Sequence, residues 1–351
     1  MIPLQRLRDE PEVFREGARR KGMDAPVDEI LALDASAREL RTEMEARRAE
    51  QRAATRAISG RPDDAERVRL AAVKQRIQDL EAEVSRLESE RDERLLQVPN
   101  PPHPTVPHGA GPEDSVTVRE WGAIPAFGFA PRAHWDIGED LGIFDSAGAA
   151  KLSGARFMVL RGDGARLQRA LVGFFLDTAL RHGDVEVAPP HLVRRECMVG
   201  PGQLPQFEDD AFRTDDDLFL IPTAEVPVTN LYREEILEPG SLPIRHVAHT
   251  QCFRREAGSA GKDTRGFIRL HQFEKVELVR IVEPEQSQAE LERLVADAEA
   301  LLQALGLRYR VLLLCDGDTG FTQAKQYDLE VWAPAMERWL EVSSCSDFGD
   351  F

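Results

Sequence analysis

The stretch FRREAGSAGKDTRGFIRLHQFEKVE, Phe253 to Glu277, decides how this chain is read. It joins two alternating runs, HTQCFRRE (His249 to Glu256) and IRLHQFEKVELV (Ile268 to Val279), through a loop carrying Gly258, Gly261 and Gly266. Alternation on both sides of a glycine-rich connection predicts a β-hairpin with a long tip. Every second residue of a strand faces the same side. Arg254 and Glu256 are therefore expected on one face, and Arg269, His271, Phe273, Lys275 and Glu277 on one face of the return strand. A guanidinium fork holds phosphate or carboxylate through paired hydrogen bonds, and a flat ring stacks on a purine. Arg254, Arg269 and Phe273 thus suit ATP. For any one arginine the alternative is an ordinary surface ion pair; the convergence of charges and an aromatic at matched parity argues for a site. Gly261-Lys262 is no phosphate-cradling P-loop, because Glu256 stands where that motif needs its first glycine and Asp263 follows the lysine.

Composition bounds the rest. The 351 residues allow two to three domains, and 42% hydrophobic with 30% charged residues is the balance of a soluble globular protein. A net charge of −17 repels a polyanion, so any nucleic-acid contact must be local. Cys197, Cys252, Cys315 and Cys345 show no C-x-x-C spacing, which predicts free thiols in a reducing compartment and neither a disulfide frame nor a zinc site. His246 and His249 lack partner ligands at zinc spacing and read as residues of the strand entering the hairpin. The start MIPLQRLRDEPEVF has no signal-peptide pattern, and no apolar run is long enough for a membrane span; a cytoplasmic protein is expected.

From Asp28 to Gln97 glycine and proline occur only at Gly60 and Pro62, and Ala, Glu, Arg and Leu dominate, which predicts two helices joined by one turn. Leu70, Val73, Ile77, Leu80, Val84 and Leu87 follow the 3-4 spacing of a coiled-coil seam, with a weaker version at Leu33, Ala37, Leu40 and Met44. The short ISGRPDD connection makes the pair antiparallel. Each helix of roughly 30 residues would run about 45 Å, so the hairpin should project beyond a compact domain. Residues 46–76 hold nine basic side chains (Arg47, Arg48, Arg52, Arg56, Arg61, Arg67, Arg69, Lys74, Arg76) against four acidic ones (Glu50, Asp63, Asp64, Glu66), a local charge of +5. An oligomerisation coil and an RNA-binding arm both fit the seam; a basic tip on an acidic body favours phosphates of a folded RNA, read by backbone and shape.

VPNPPHPTVPHGAG, Val98 to Gly111, is a proline-rich linker that cannot continue a helix. It separates an N-terminal domain, residues 1–108, from a second domain, residues 109–351. In the latter, helices are expected at 165–182 and 285–305 and strands at 185–187, 218–221, 309–314 and 327–331, an order that suits an α+β fold with an antiparallel sheet.

The Phe253 to Glu277 stretch resembles motif 2 of the class II aminoacyl-tRNA synthetases, and specifically that of the seryl-tRNA synthetases. IPTAEVPVTN (Ile221 to Asn230), GQLPQFEDDAF (Gly202 to Phe212), KLSGARFMVLRGDGARLQRAL (Lys151 to Leu171), KQYDLEVWAP (Lys325 to Pro334) and EVSSCSDFGDF (Glu341 to Phe351) resemble the same family in family order, so the likeness runs the length of the chain. HGDVEVAPPHLV, His182 to Val193, resembles motif 1, through which class II enzymes dimerise.

The resemblance implies an antiparallel sheet flanked by helices, a coiled-coil arm at about 28–97 for the long variable arm of tRNA(Ser), and a homodimer using ATP, L-serine and Mg²⁺. It implies that Arg254 bridges the serine carboxylate and the α-phosphate, that Arg255 and Glu256 meet ATP, that Arg269 holds phosphates and that Phe273 stacks on adenine. Thr223, Ala224, Glu225 and Glu277 would bind serine; Glu341, Val342, Ser343 and Ser344 would contact ATP, with Glu341 and Ser344 as Mg²⁺ ligands. Arg48, Arg52 and Arg69 are the arm residues expected at tRNA. The pattern departs at Asp347, where the family has asparagine, and the family's motif 3, with its arginine for the γ-phosphate, has no counterpart before Phe351. A serine–tRNA ligase, cut or naturally shortened, is the leading expectation. A non-catalytic tRNA-binding paralogue is the alternative, and a ligase charging a carrier protein is disfavoured by the presence of the arm.

Overall fold

The computed structural model describes residues 2–57, 63–257, 266–349 and 351. The arm connection at 58–62, with Arg61, and the hairpin tip at 258–265, with Gly258, Gly261, Lys262 and Asp263, lie outside the described residues. The chain divides into two compact units, Met1–Pro101 and Pro102–Gly349 with Phe351.

The first unit is helical: α1 Leu4–Asp9, α2 Pro11–Arg20, α3 Val27–Ala57 and α4 Asp64–Leu95. Asp63 starts α4 by accepting the Glu66 N–H at 2.7 Å while Glu66 accepts the Asp63 N–H at 3.2 Å, a reciprocal cap that satisfies two orphan donors. Cross-hairpin pairs Arg94–Glu29, Arg41–Glu88, Arg76–Glu43 and Arg69–Glu50 descend in one helix as they ascend in the other, so α3 and α4 are antiparallel. Ala37 and Met44 of α3 and Ile77, Leu80, Val84 and Leu87 of α4 are buried, while Leu40 and Val73 pack half-buried against them. Each fully buried side chain of this size contributes roughly 1.5–3 kcal/mol. Asp34 carries no comparable sequence signal. It is wholly buried on α3 and accepts from Arg8 Nε at 2.8 Å, Arg38 Nε at 3.0 Å and Arg91 Nη1 at 3.3 Å, so three guanidinium groups hold its carboxyl below the usual range despite burial.

The second unit runs β1 Val116–Trp121, α5 His134–Asp140, α6 Ser146–Ser153, α7 Asp163–Arg181, β2 Val185–Glu186, β3 Leu192–Arg194, α8 Arg195–Val199, β4 Leu218–Leu220, α9 Glu225–Thr229, β5 Ile244–Phe253, β6 Gln272–Ile281, α10 Ser287–Ala304, β7 Tyr309–Leu313, β8 Lys325–Ala333 and β9 Arg338–Asp347. It is α+β, as expected. β1, β7, β8 and β9 form an antiparallel sheet in that order; β2 joins the antiparallel β5–β6 hairpin in parallel on β5; β3 and β4 pair antiparallel. Helix α10 covers the larger sheet, with Leu291, Val295 and Leu302 packed on Tyr309, Val311, Tyr327, Leu329 and Cys345. Arg280 of β6 is nearly enclosed yet paired, with Asp184 at 3.3 Å, Glu290 at 3.2 Å and Asp297, so the back of the hairpin is tied to α10 by compensated charge. All four cysteines are free. No described helix is long and apolar enough to cross a membrane.

Candidate active site

Two small clusters place the Thr223–Glu225 loop. Val193, Met198, Leu204, Phe219, Ile221 and Val226 pack on one side, and Ala224, Val228 and Ala248 pack with Val279 on the other. Ala224 is fully buried and acts by fixing its neighbours. Thr223 donates its hydroxyl to Glu277 Oε2 at 3.0 Å and accepts the Glu225 N–H at 3.3 Å. Lys275 reaches the same Glu277 oxygen at 2.6 Å. Glu225 lies deep beside Glu277; burial first, and then that like charge, push its carboxyl up to about 7, against the pull of Lys275 and Arg254.

The hairpin corrects the parity expectation in part. The ladder pairs Ile244–Phe253 with Gln272–Ile281 and stops there. Phe273, Lys275 and Glu277 do share a face of β6, but Arg254, Glu256, Arg269 and His271 lie beyond the strand ends, and Glu256 has a left-handed backbone with φ 54°. Strand alternation therefore does not place them. Hydrogen bonds do: Arg254 N–H donates to the His271 carbonyl at 2.9 Å, Arg255 N–H to the Asp210 carbonyl at 2.8 Å, Ala257 N–H to the Asp210 carboxylate at 2.6 Å and His271 N–H to the Arg156 carbonyl at 2.9 Å. The Arg254 guanidinium lies over the Phe273 ring at 5.2 Å and points Nε toward the Pro222 carbonyl at 3.4 Å. Arg269 pairs with Glu256. Arg255 turns aside, over Phe212 at 5.6 Å, and does not join Arg254 and Arg269.

On β8 and β9, Glu330 stands opposite Glu341 and Asp328 opposite Ser344, with a register shift that leaves Val342 as the extra residue. Asp328 and Glu330 share a face, so the bulge brings Glu341 and Ser344, three apart, onto that face together. Val342 is half exposed and Ser343 lies beside Cys345, a thiol pushed up to about 12 by burial. Gln326 Nε2 donates to Ser344 Oγ at 2.9 Å and to Asp328 Oδ1 at 3.1 Å. Glu341 is open to solvent on one side. Poor solvation, then Asp328 and Glu330, push its carboxyl up to about 7, opposed by Arg254 and Arg269. The charge of Arg254 thus pulls down both the Glu225 and the Glu341 carboxyl, against the larger effect of burial.

The sequence did not reveal Asp210, the bulge at Val342 or the support of Ser344 by Gln326. E-V-S-S reads as plain alternation, and only the acidic run Glu208 to Asp210 hinted at the first. His246 accepts or donates at Tyr232 Oη, 2.7 Å away, and His249 pairs with Glu274 at 3.2 Å, so both are strand residues. On the arm, Arg48 pairs with Glu81 and Arg69 with Glu50 at 3.0 Å, which offsets part of the local positive charge; Arg52 is exposed.

The family model for the seryl-tRNA synthetase N-terminal domain matches residues 1–102, and that for the tRNA synthetase class II core domain (G, H, P, S and T) matches residues 206–351. The serine–tRNA ligase of Thermomicrobium roseum is 50% identical over 100% of this chain and 80% of its own length; that of Thermosynechococcus vestitus is 52% identical over 100% and 84%. The seryl-tRNA synthetase from Pyrococcus horikoshii, solved in complex with ATP, superposes with a TM-score of 0.92 at 36% identity, covering 100% of this chain and 85% of that one. The cytoplasmic serine–tRNA ligase of Naegleria fowleri, solved with AMP, gives 0.84 at 29% over 96% and 80%. Identity of this order along the whole chain, with both family domains in place, means that the chain belongs to the seryl-tRNA synthetases, class II enzymes that ligate serine to tRNA.

Proposed function

We propose that Arg254 is the joint of this ligase, holding the carboxylate of L-serine against the α-phosphate of ATP. A serine carboxylate oxygen attacks that phosphorus and pyrophosphate leaves; a terminal ribose hydroxyl of tRNA(Ser) then attacks the acyl carbon and AMP leaves. The protein's part is positioning and charge neutralisation. The observation that supports the reading is the Arg254 guanidinium lying over the Phe273 ring at 5.2 Å while its charge opposes the upward shift of both the Glu225 and the Glu341 carboxyl.

In this reading Thr223, Glu225 and Glu277 take the ammonium and hydroxyl of serine, with Ala224 shaping the loop. Glu277 is held by Thr223 and Lys275, leaving Glu225 to gain charge when an ammonium enters. Arg269 and Glu256 face the phosphates, Phe273 offers its ring to adenine once Arg254 turns to substrate, and Val342 and Ser343 line the ATP side; Arg255, turned to Phe212, would have to swing to join them. Mg²⁺ fits Glu341 and Ser344, because the bulge sets a carboxylate and a hydroxyl on one face, and a carboxyl crowded by Asp328 and Glu330 is one that a dication would hold ionised. When bound it would supply charge to the phosphate oxygens.

Residues 1–108 form the tRNA-binding domain, with Arg48, Arg52 and Arg69 of the arm at the phosphates, and residues 109–351 the catalytic core, in an enzyme of bacterial type working in the cytoplasm. A homodimer through the motif 1 region is supported by exposed Leu180, Val185 and Leu192. A non-catalytic paralogue is not favoured, since the pockets for serine and phosphate are built from mutually supporting side chains. Serine-dependent pyrophosphate exchange tests the reading: Arg254→Ala should lower it by at least about a hundredfold while tRNA binding stays near normal. Unchanged exchange would remove Arg254 from the reaction.

A further inference from the structure

The return limb of the hairpin carries Arg269 outside the β5–β6 ladder, which begins at Gln272, with the Arg254 N–H to His271 carbonyl bond joining the two limbs just beyond it. Two hydrogen bonds hold that limb from outside. Phe267 N–H donates to His134 Nε2 at 2.9 Å, and His271 N–H donates to the Arg156 carbonyl at 2.9 Å. They lie four residues apart, with Arg269 midway. Gly266 has φ 72°, and a Cβ there would fall 2.1 Å from His134 Nε2 and 2.9 Å from Trp135, so only a bare backbone can sit on this edge. The Phe267 ring packs on Phe144 with centroids 4.7 Å apart, and Phe144 in turn occupies the space in front of Gly138, where a Cβ would meet it at 2.2 Å. His134, the first residue of α5, and Phe144 after it thus form a socket for Gly266 and Phe267. Accepting at Nε2 places the ring proton on Nδ1. Burial lowers the pKa of His134, which favours the neutral ring that this bond needs.

We propose that His134 is a positioning residue for serine activation, fixing Gly266 and Phe267 so that Arg269 is delivered to the phosphates at a set depth. An anchor matters here because a side chain projecting from backbone outside the ladder loses its aim with any rotation of that backbone, and a shift of about 1 Å where it meets a phosphate suffices to cost catalysis heavily. The inference rests on the reading of Arg269 as a phosphate-binding residue.

The test uses His134→Leu, which keeps apolar bulk and removes the acceptor, and His134→Gln, whose side-chain oxygen can reach the same amide. His134→Leu should raise the KM for ATP about tenfold, leave the KM for serine within about twofold, and speed hydrogen exchange at the Phe267 amide. His134→Gln should restore both readouts to within about threefold of wild type. In an Arg269→Ala background the leucine substitution should add nothing to the ATP effect, as expected for a residue acting through that arginine. Additive effects, faster amide exchange with unchanged KM for ATP, or failure of glutamine to rescue would each overturn the proposal. If Arg269→Ala itself leaves the KM for ATP unchanged, the reading of Arg269 fails first, and the amide exchange then shows whether the anchor exists at all.

Discussion

Replacing Thr223 by valine removes one oxygen from a buried position and little else. The residue is 4% exposed, and its hydroxyl stands between two carboxylate-bearing residues, donating to Glu277 Oε2 at 3.0 Å and accepting from the Glu225 backbone at 3.3 Å. Valine keeps the shape but leaves Glu277 one donor short and the Glu225 N–H without that acceptor. A hydrogen bond to a charged group is worth roughly 1.5–3 kcal/mol, and the longer backbone bond adds less. Lys275, at 2.6 Å, still holds Glu277, so the loss should sit near the low end, about 2 kcal/mol. Were it expressed wholly in serine binding, kcat/KM for serine would fall about thirtyfold. Pyrophosphate exchange with serine varied at saturating ATP measures it, and the KM for ATP serves as the internal control. That value should hold within about twofold, because the Arg269 and Glu341 side of the site is untouched. A drop for serine below about threefold, or equal changes for serine and ATP, would refute the assignment of Thr223 and Glu277 to the amino-acid pocket.

Two more expectations follow from charge. Glu225 ionises around 7, and an incoming ammonium wants it ionised; a raised carboxyl pKa means the charged form gains only as pH rises through that value. The KM for serine should therefore fall between pH 6 and 8, and Glu225→Gln should flatten the profile; a profile unchanged by that substitution would argue against an ionising Glu225 at the ammonium. Reversing charge at Arg48, Arg52 and Arg69 should weaken tRNA affinity and reduce the slope of log affinity against log salt by about one for each phosphate that the arm no longer neutralises, with tRNA-independent exchange unaffected; an unaltered slope would make the arm a structural coil.

The arm was largely legible as sequence. Its seam at Ile77, Leu80, Val84 and Leu87 is a local periodicity, and 3.6-residue geometry turns such a pattern into a buried stripe without reference to the rest of the chain. Asp34 was not legible, because its partners Arg8 and Arg91 come from far apart in the chain. The same division runs through the site. Residue types in motif order named the family and the candidate ligands, and the alternation of Phe273, Lys275 and Glu277 was readable because β6 is regular there.

Where regular structure ends, local reading ended with it. Arg254, Glu256 and Arg269 take their places from bonds to Asp210, Arg156 and His134, and from the ring of Phe273, none of which a strand pattern encodes. Glu341 and Ser344 share a face only because Val342 bulges out of β9, a shift set by pairing with β8. The carboxyls of Glu225 and Glu341, both near 7, show the same dependence: each is an ordinary glutamate by sequence, and its charge is set by burial and by neighbours from other segments. The amino-acid order by itself determined which chemistry is present and where the four long helices form, because those depend on composition and short-range spacing; the short helices, such as α5 and α9, were not legible in it. Only the tertiary structure decided how the charges are aimed and which are held neutral, since Coulomb interactions and desolvation act through distance in space and not along the chain.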